Sequence, residues 1–161
     1  KGTFPVMATV VQTGKSLQSR KSESNQIVKL SASYMTSDGK HADLSKLQVG
    51  TDLVLSIFIS TDGSLGSLDH MALTIPFASG FEIKNNRVNF SDGVSHADYQ
   101  DIRDDRVLTY FDLPANRVKR IDIPVTAVYE GSFNSPDLVL EHMYLPYIRS
   151  ISNLGKIKIS R

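Results

Sequence analysis

The chain has 161 residues, and its 18 basic and 17 acidic side chains leave a net charge of +1. This balance gives no electrostatic reason to expect nucleic acid or an anionic membrane as a partner. There are no cysteines, which excludes a disulfide framework, a cysteine metal site and an internal cysteine–glutamine thioester within this chain. At this length we expect one domain with a substantial core that needs no covalent cross-links for stability.

The first part of the chain combines an apolar run with a polar stretch. Phe4–Val11 is rich in β-forming residues and predicts a strand, whereas residues 13–25 are rich in serine and charge and predict an exposed linker. The chain opens at Lys1 without an initiator methionine, so we expect either a piece of a larger protein or a mature protein left after cleavage. No apolar run reaches the ~20 residues of a membrane span, and no signal-peptide pattern is recognised.

Apolar and polar residues alternate with a period of two through most of the remaining chain, which predicts half-buried strands. Turn signals such as Asp38–Gly39 separate the runs, because glycine accepts a positive φ without steric cost. No run has the period of a long helix, and single helical turns are expected only at Asp43–Leu47 and Ala97–Ile102. The predicted strands are Ile27–Met35, Leu53–Ser60, Leu68–Ile75, Phe81–Ile83, Val88–Phe90, Arg106–Asp112, Arg117–Tyr129, Leu138–Met143 and Lys156–Ser160.

Arg106–Asp112 and Arg117–Tyr129 flank the short turn Leu113–Asn116 and therefore predict a hairpin. Pro124 indicates an edge strand or a bulge, because proline cannot donate a hydrogen bond to a neighbouring strand. Seven to nine short strands with regular turns predict an all-β fold, an antiparallel β-sandwich of about seven strands with immunoglobulin-like architecture. The side chains expected to alternate inward in the second arm are Ile121, Ile123, Val125, Ala127 and Tyr129.

Five charges crowd into six residues: Asp101, Arg103, Asp104, Asp105 and Arg106. Carboxylates this close together can serve acid–base or glycosidase chemistry. Alternation along a strand would place Asp105 beside Arg103 and Asp104 beside Arg106. A neighbouring guanidinium lowers the pKa of a carboxyl group and makes it a poor general acid. We therefore interpret these residues as a structural charge cluster and predict no catalytic residue.

Met143 and Tyr144 close a predicted strand just before Pro146, where the chain has to leave the sheet. Large, adaptable apolar side chains at such a place suit a docking contact, and burial in the core is the open alternative. No metal or other cofactor is predicted, because the histidines lack the spacing of metal ligands. These histidines are His41, His70, His96 and His142.

From about Ile27 to its end, the chain resembles the C-terminal macroglobulin-like domain of bacterial alpha-2-macroglobulins. Phe81 stands where that family usually has tryptophan. His142 and Leu145 depart from the small and acidic residues usual around the Met–Tyr pair. The matching blocks are Tyr34 with Ser37–Gly39, Leu47 with Gly50, Leu73–Pro76 with Ser79–Ile83, Asp101–Asp112, Tyr129–Pro136, Glu141–Tyr144 and Gly155.

The resemblance implies a non-catalytic domain of a periplasmic or cell-envelope protease inhibitor. In such inhibitors a protease cuts a bait region, and a thioester in another domain captures the attacker. The resemblance implies that residues 26–161 form the macroglobulin-like domain and that residues 1–25 are a strand and linker returning from the preceding domain. It also implies the thioester domain of the parent chain as partner, with Met143 and Tyr144 shielding the thioester. Target proteases would be met by the whole inhibitor.

Two other functions stay open from the sequence. An independent cell-surface adhesin or carbohydrate-binding module would need a platform of exposed aromatic side chains, and tryptophan, the usual platform residue, is absent. A small hydrolase would need two carboxylates of the charge cluster facing a cleft without arginine partners.

Overall fold

In the computed structural model, which describes residues 9–11, 13, 27–84 and 98–161, every regular element is a β-strand. Within these ranges, no residue belongs to a helix long and apolar enough to cross a membrane. The strands are β1 Val28–Thr36, β2 Leu47–Gln48, β3 Asp52–Thr61, β4 Leu68–Pro76, β5 Phe81–Ile83, β6 Tyr99–Ile102, β7 Arg106–Leu113, β8 Val118–Ala127, β9 Gly131–Asn134, β10 Leu138–His142, β11 Arg149–Ser152 and β12 Lys156–Ser160.

Two large sheets and one small sheet make up the fold. Their strand orders are β1-β3-β8-β5, β11-β10-β4-β7-β6 and β2-β12-β9. Neighbouring strands are antiparallel except β2 and β12, which run parallel. The predicted antiparallel sandwich is thereby confirmed. The strands missing from the prediction, β2, β6, β9 and β11, are two to four residues long and carry too little alternation to be recognised.

The core is filled by alternate residues of the long strands from both large sheets. Across the β3–β8 ladder, Leu55 lies opposite Ile123 and Ile57 opposite Ile121, so that branched side chains of neighbouring strands stand side by side. Phe111 of β7 is also buried in this core. Burial of each such side chain stabilises the fold by ~1.5–3 kcal/mol relative to exposure.

Tyr34 and Phe81, from two of the matching blocks, meet in this core. Their rings stack with centroids 5.0 Å apart and planes inclined by 23°, and both side chains are buried. A pair of this geometry contributes roughly 0.5–1.5 kcal/mol beyond its burial. Loss of water around the Tyr34 phenol disfavours the charged phenolate and raises the pKa of Tyr34 well above its ordinary value.

The predicted hairpin between Arg106–Asp112 and Arg117–Tyr129 is wrong. β7 lies between β4 and β6 in the five-stranded sheet, whereas β8 lies between β3 and β5 in the four-stranded sheet. The chain therefore crosses from one sheet to the other through 114–117. Asn116 adopts a left-handed φ of 56°, and a Cβ added to Gly63 would lie 2.6 Å from its Oδ1. This connection thus packs against the one from β3 to β4, which crosses in the opposite direction.

Two smaller predictions, a helical turn before β7 and an inward-facing Tyr129, are wrong. The helical turn predicted at Ala97–Ile102 is wrong for the described residues, because Tyr99–Ile102 forms strand β6 along the edge of β7. Tyr129 does not face inward, because β8 ends at Ala127 and the amides of Val128 and Tyr129 both donate to the Gly80 carbonyl. The other four side chains of that series are buried as predicted.

Pro124 lies within β8 without interrupting the ladder to β3. Its carbonyl accepts a hydrogen bond from the Lys84 amide, on the side of β5, and β5 pairs only with Val125–Ala127. The nitrogen of a strand residue points to the same side as its carbonyl. The prediction of an edge strand or a bulge is therefore wrong, because β8 lies between β3 and β5 and its register with β3 is regular. The missing N–H of Pro124 points away from β3, to the side where the β5 ladder ends at Val125.

Some predictions fall on residues that the structure does not describe. These are the Val88–Phe90 strand, His96 and nearly all of the 13–25 linker. Of the predicted Phe4–Val11 strand, only Thr9–Val11 is described, and Val10 and Val11 are exposed.

Candidate docking surface

Met143 and Tyr144 lie in the loop between β10 and β11, at one end of the five-stranded sheet. The loop closes through a hydrogen bond from the His142 amide to the Ile148 carbonyl (3.0 Å). Met143 is 52% and Tyr144 69% exposed. Burial in the core is thus excluded, and the pair forms an apolar projection on the surface.

Backbone hydrogen bonds fix the conformation of this loop. The amides of Tyr144 and Leu145 both donate to Nδ1 of His142, at 3.1 and 3.2 Å. The Met143 amide donates to the carbonyl of His70 on β4, at 3.0 Å. Leu145 is half-buried and packs against the core. The exposed pair therefore projects from a loop whose backbone is already ordered.

His70 completes this surface from the neighbouring strand. A register shift between Leu68 and Met71 marks a bulge in β4, and His70 has a left-handed φ of 59° there. Its amide donates to Oδ1 of Asp112 on β7 (2.9 Å). A bulge re-aims the side chain it carries, and the His70 ring meets the Tyr144 ring edge-on, with centroids 5.4 Å apart.

The Tyr144 ring thus contacts two imidazoles, since the His142 ring lies 6.3 Å from it, centroid to centroid, with the planes inclined by 68°. The sequence pattern classified His70 and His142 only as strand residues. His142 could have been found from its position two residues before Tyr144, where a side-chain acceptor reaches the next amides. The residues next to His70 in the sequence do not indicate the bulge, because the Asp112 carboxylate that accepts its amide hydrogen bond is 42 residues away.

The charge cluster lies at the turn between β6 and β7, remote in sequence from Met143 and Tyr144. Asp101 pairs with Arg103 (2.9 Å) and Asp105 with Arg106 (2.6 Å). The direct partner of Asp105 is thus Arg106 and not the predicted Arg103, which lowers the pKa of the Asp105 carboxyl only through space. The predicted Asp104–Arg106 pair is wrong, because Arg106 binds Asp105. The reason is that the chain reverses here, with the Arg103 amide bonded to the Arg106 carbonyl, so strand alternation does not apply across Asp104 and Asp105.

This turn borders a groove of about 520 Å³ that also contacts Phe81 and Tyr129. The Arg106 guanidinium, through direct hydrogen bonds, holds the pKa of the Asp105 carboxyl below its usual value. A general acid needs the opposite shift, so Asp105 is unsuited to that role. The Asp105 carbonyl also accepts the amide of Phe77 (2.9 Å), which ties the turn to the segment between β4 and β5. A structural role for the cluster stays a prediction.

No group of three or more histidine, aspartate or glutamate side chains is arranged to hold a metal ion within the ranges that the structure describes.

Comparison with known proteins decides the family. Residues 28–146 match the family model of the bacterial alpha-2-macroglobulin MG10 domain. The chain belongs to this family. The matched region includes β1–β10, the charge cluster and the Met143–Tyr144 loop.

Similar proteins are bacterial alpha-2-macroglobulins. The chain is 26% identical over 176 residues to the one from Xylella fastidiosa, covering 99% of this chain and 10% of that protein. The crystal structure of a mutant Salmonella alpha-2-macroglobulin has a TM-score of 0.81 at 19% identity, over 92% of this chain and 10% of that one. Native Escherichia coli alpha-2-macroglobulin, from domain MG7 to the C-terminus, gives 0.81 at 17% identity, over 92% and 25%. This chain spans about a tenth of the curated relative it matches.

Proposed function

We propose that this MG10 domain is a non-catalytic cover for the thioester domain of a bacterial alpha-2-macroglobulin-type protease inhibitor, with Met143 and Tyr144 as the covering contact. The exposed Met143–Tyr144 pair on an ordered loop carries the proposal. Its setting would be the periplasm or cell envelope, and target proteases would be met by the parent inhibitor as a whole.

Met143 and Tyr144 combine exposed apolar side chains with a hydrogen-bonded loop backbone. Half or more of each side chain is in water, and transfer into a fitting pocket would contribute about 1–2 kcal/mol each. Tyrosine and methionine are enriched at the centres of interfaces. Because the backbone of the loop is hydrogen-bonded before contact, less conformational entropy is lost on docking.

A cover of this kind would act by exclusion of water. A thioester is hydrolysed by water and opened by small amines, so its lifetime depends on how closely the neighbouring domain seals it. Two large side chains that interlock with the thioester domain would keep both reagents out until a rearrangement separates the domains. No catalytic group of the MG10 domain is needed for this function.

The test is Met143→Ala with Tyr144→Ala in the full-length inhibitor. Reaction of the thioester with methylamine, followed before any protease is added, should be faster than in wild type. The matched control is Val118→Ala with Tyr129→Ala, which removes side chains that are 66% and 67% exposed elsewhere on the domain. Equal thioester lifetimes in wild type and the Met143/Tyr144 variant would contradict the proposal.

A further inference from the structure

The His142 imidazole holds the loop that presents Met143 and Tyr144, and it does so as an acceptor. Two backbone N–H groups, those of Tyr144 and Leu145, point at the same ring atom. A carbon at that position could not accept them, and a protonated nitrogen would itself be a donor. The arrangement therefore requires Nδ1 to be unprotonated, with the ring proton on Nε2.

Protonation of the ring would reverse this contact. In the imidazolium both nitrogens are donors, so Nδ1–H would face two amide N–H groups in place of accepting from them. Histidine is the side chain whose charge ordinarily changes between pH 5 and 8. The same loop bond from the His142 amide to Ile148 does not involve the ring and would persist.

The charges around His142 do not by themselves indicate whether its ring is neutral or protonated. From β4, the His70 ring shares the Tyr144 ring with His142, and Asp112 of β7 binds the His70 amide. On the β10–β11 ladder, Glu141 lies opposite Arg149. Two basic and two acidic residues thus come from the elements around the loop. The direction of the two hydrogen bonds to Nδ1, from the amides of Tyr144 and Leu145, is therefore what indicates a neutral His142.

We propose that His142 is a positioning residue whose neutral imidazole clamps the turn from Met143 to Leu145, and that its protonation releases this turn and uncovers the thioester. The clamp concerns this chain alone, whereas the uncovering rests on the proposed function. In a mildly acidic medium the inhibitor would then lose its thioester faster than a variant whose clamp cannot be protonated.

The clamp is tested on the 161-residue chain by nuclear magnetic resonance between pH 7.5 and 5.5. The ¹⁵N shifts of the ring should identify an unprotonated Nδ1 at pH 7.5. The amide signals of Tyr144 and Leu145 should move with the titration of His142. The Met143 amide, bonded to a backbone carbonyl, is the internal control and should move less. Tyr144 and Leu145 signals that ignore the His142 titration would overturn the clamp.

The uncovering is tested in the full-length inhibitor with His142→Asn. An asparagine carbonyl oxygen can accept amides two and three residues ahead but does not take up a proton in this range. The ratio of thioester hydrolysis rates at pH 5.5 and 7.5 should be larger in wild type than in His142→Asn, on the order of tenfold, the factor for about one net hydrogen bond. In His142→Ala, which lacks a side-chain acceptor, the thioester should be hydrolysed quickly at both pH values.

The clamp by His142 and the uncovering of the thioester can be disproved separately. Equal rate ratios in wild type and His142→Asn, with loop amides that still follow His142, overturn the uncovering and leave the clamp. If Met143→Ala with Tyr144→Ala is silent as well, the proposed cover fails with it.

Discussion

Gly80 provides a sharp test of the packing between the small sheet and the sandwich. It is buried between β4 and β5, and its carbonyl accepts the amides of Val128 and Tyr129. A Cβ added there would lie 2.6 Å from Cε2 of Phe133 on β9 and 2.7 Å from Cδ1 of Ile159 on β12. Ordinary carbon–carbon contacts are 3.5–4.0 Å. Gly80→Ala therefore requires the Phe133 ring and the end of the Ile159 side chain to shift.

The magnitude follows from what can move. Phe133 is half-buried and can shift outward, whereas Ile159 is 3% exposed, so its Cδ1 can move only against packed neighbours. Inserting a methyl group into a packed site of this kind costs about 1–3 kcal/mol. Restricting the unfolded chain by replacing glycine returns about 0.4–1 kcal/mol. We expect a net loss of about 1–2 kcal/mol in the free energy of unfolding.

Urea unfolding monitored by circular dichroism measures this loss, and a double-mutant cycle shows its source. Phe133→Leu removes the ring edge that the new methyl group would strike, so Gly80→Ala combined with Phe133→Leu should be more stable than the sum of the single changes, by at least about 0.5 kcal/mol. A Gly80→Ala variant as stable as wild type, or strictly additive single changes, would refute the packing argument.

Two further changes probe the core and the charge cluster. Because burial raises the pKa of Tyr34, the unfolded chain loses this proton first as the pH rises above about 10. The wild-type free energy of unfolding should then fall by up to about 1.4 kcal/mol per pH unit because of this residue. Urea titrations at several alkaline pH values should show that Tyr34→Phe removes this part of the loss. If the free energy of unfolding fell with pH as steeply in Tyr34→Phe as in wild type, a buried phenol would be contradicted. The Arg106 guanidinium lowers the pKa of Asp105, so this pair stabilises the fold above the ordinary carboxyl pKa and loses its contribution as the pH falls through the lowered one. Asp105→Asn should therefore reduce the thermal midpoint at pH 7 more than Asp104→Asn, with the difference vanishing in acid; a larger effect of Asp104→Asn would contradict the observed pairing.

The sequence predicted those parts of the fold that alternation encodes. Leu53, Leu55, Ile57 and Ile59 of β3 are buried as a series, because a period of two places them on one face. The turn after Leu113 looks the same whether the chain folds back in one sheet or crosses to the other. The choice depends on β4 and β6 already occupying both edges of β7, which no local pattern records.

The docking surface was predictable only in part. Pro146 forces the chain out of the sheet, so a loop at Met143 and Tyr144 could be expected. The supports of that loop come from a distance: the bulge at His70 depends on Asp112, and the Met143 amide depends on the His70 carbonyl. Similarly, the pairing in the charge cluster depends on where β6 ends, which its charges do not specify.

Oxidation of Met143 by hydrogen peroxide reports whether another domain covers the Met143–Tyr144 loop, since sulfoxide formation requires access to the sulfur. In the 161-residue chain Met143 is 52% exposed, and fully buried Met71 serves as the internal reference. Peptide mass spectrometry should find Met143 oxidised several-fold more slowly in the full-length inhibitor with an intact thioester than in the 161-residue chain, while Met71 stays slow in both. Equal rates of Met143 oxidation in the two proteins would show that no domain covers this loop and that the proposed shielding is wrong.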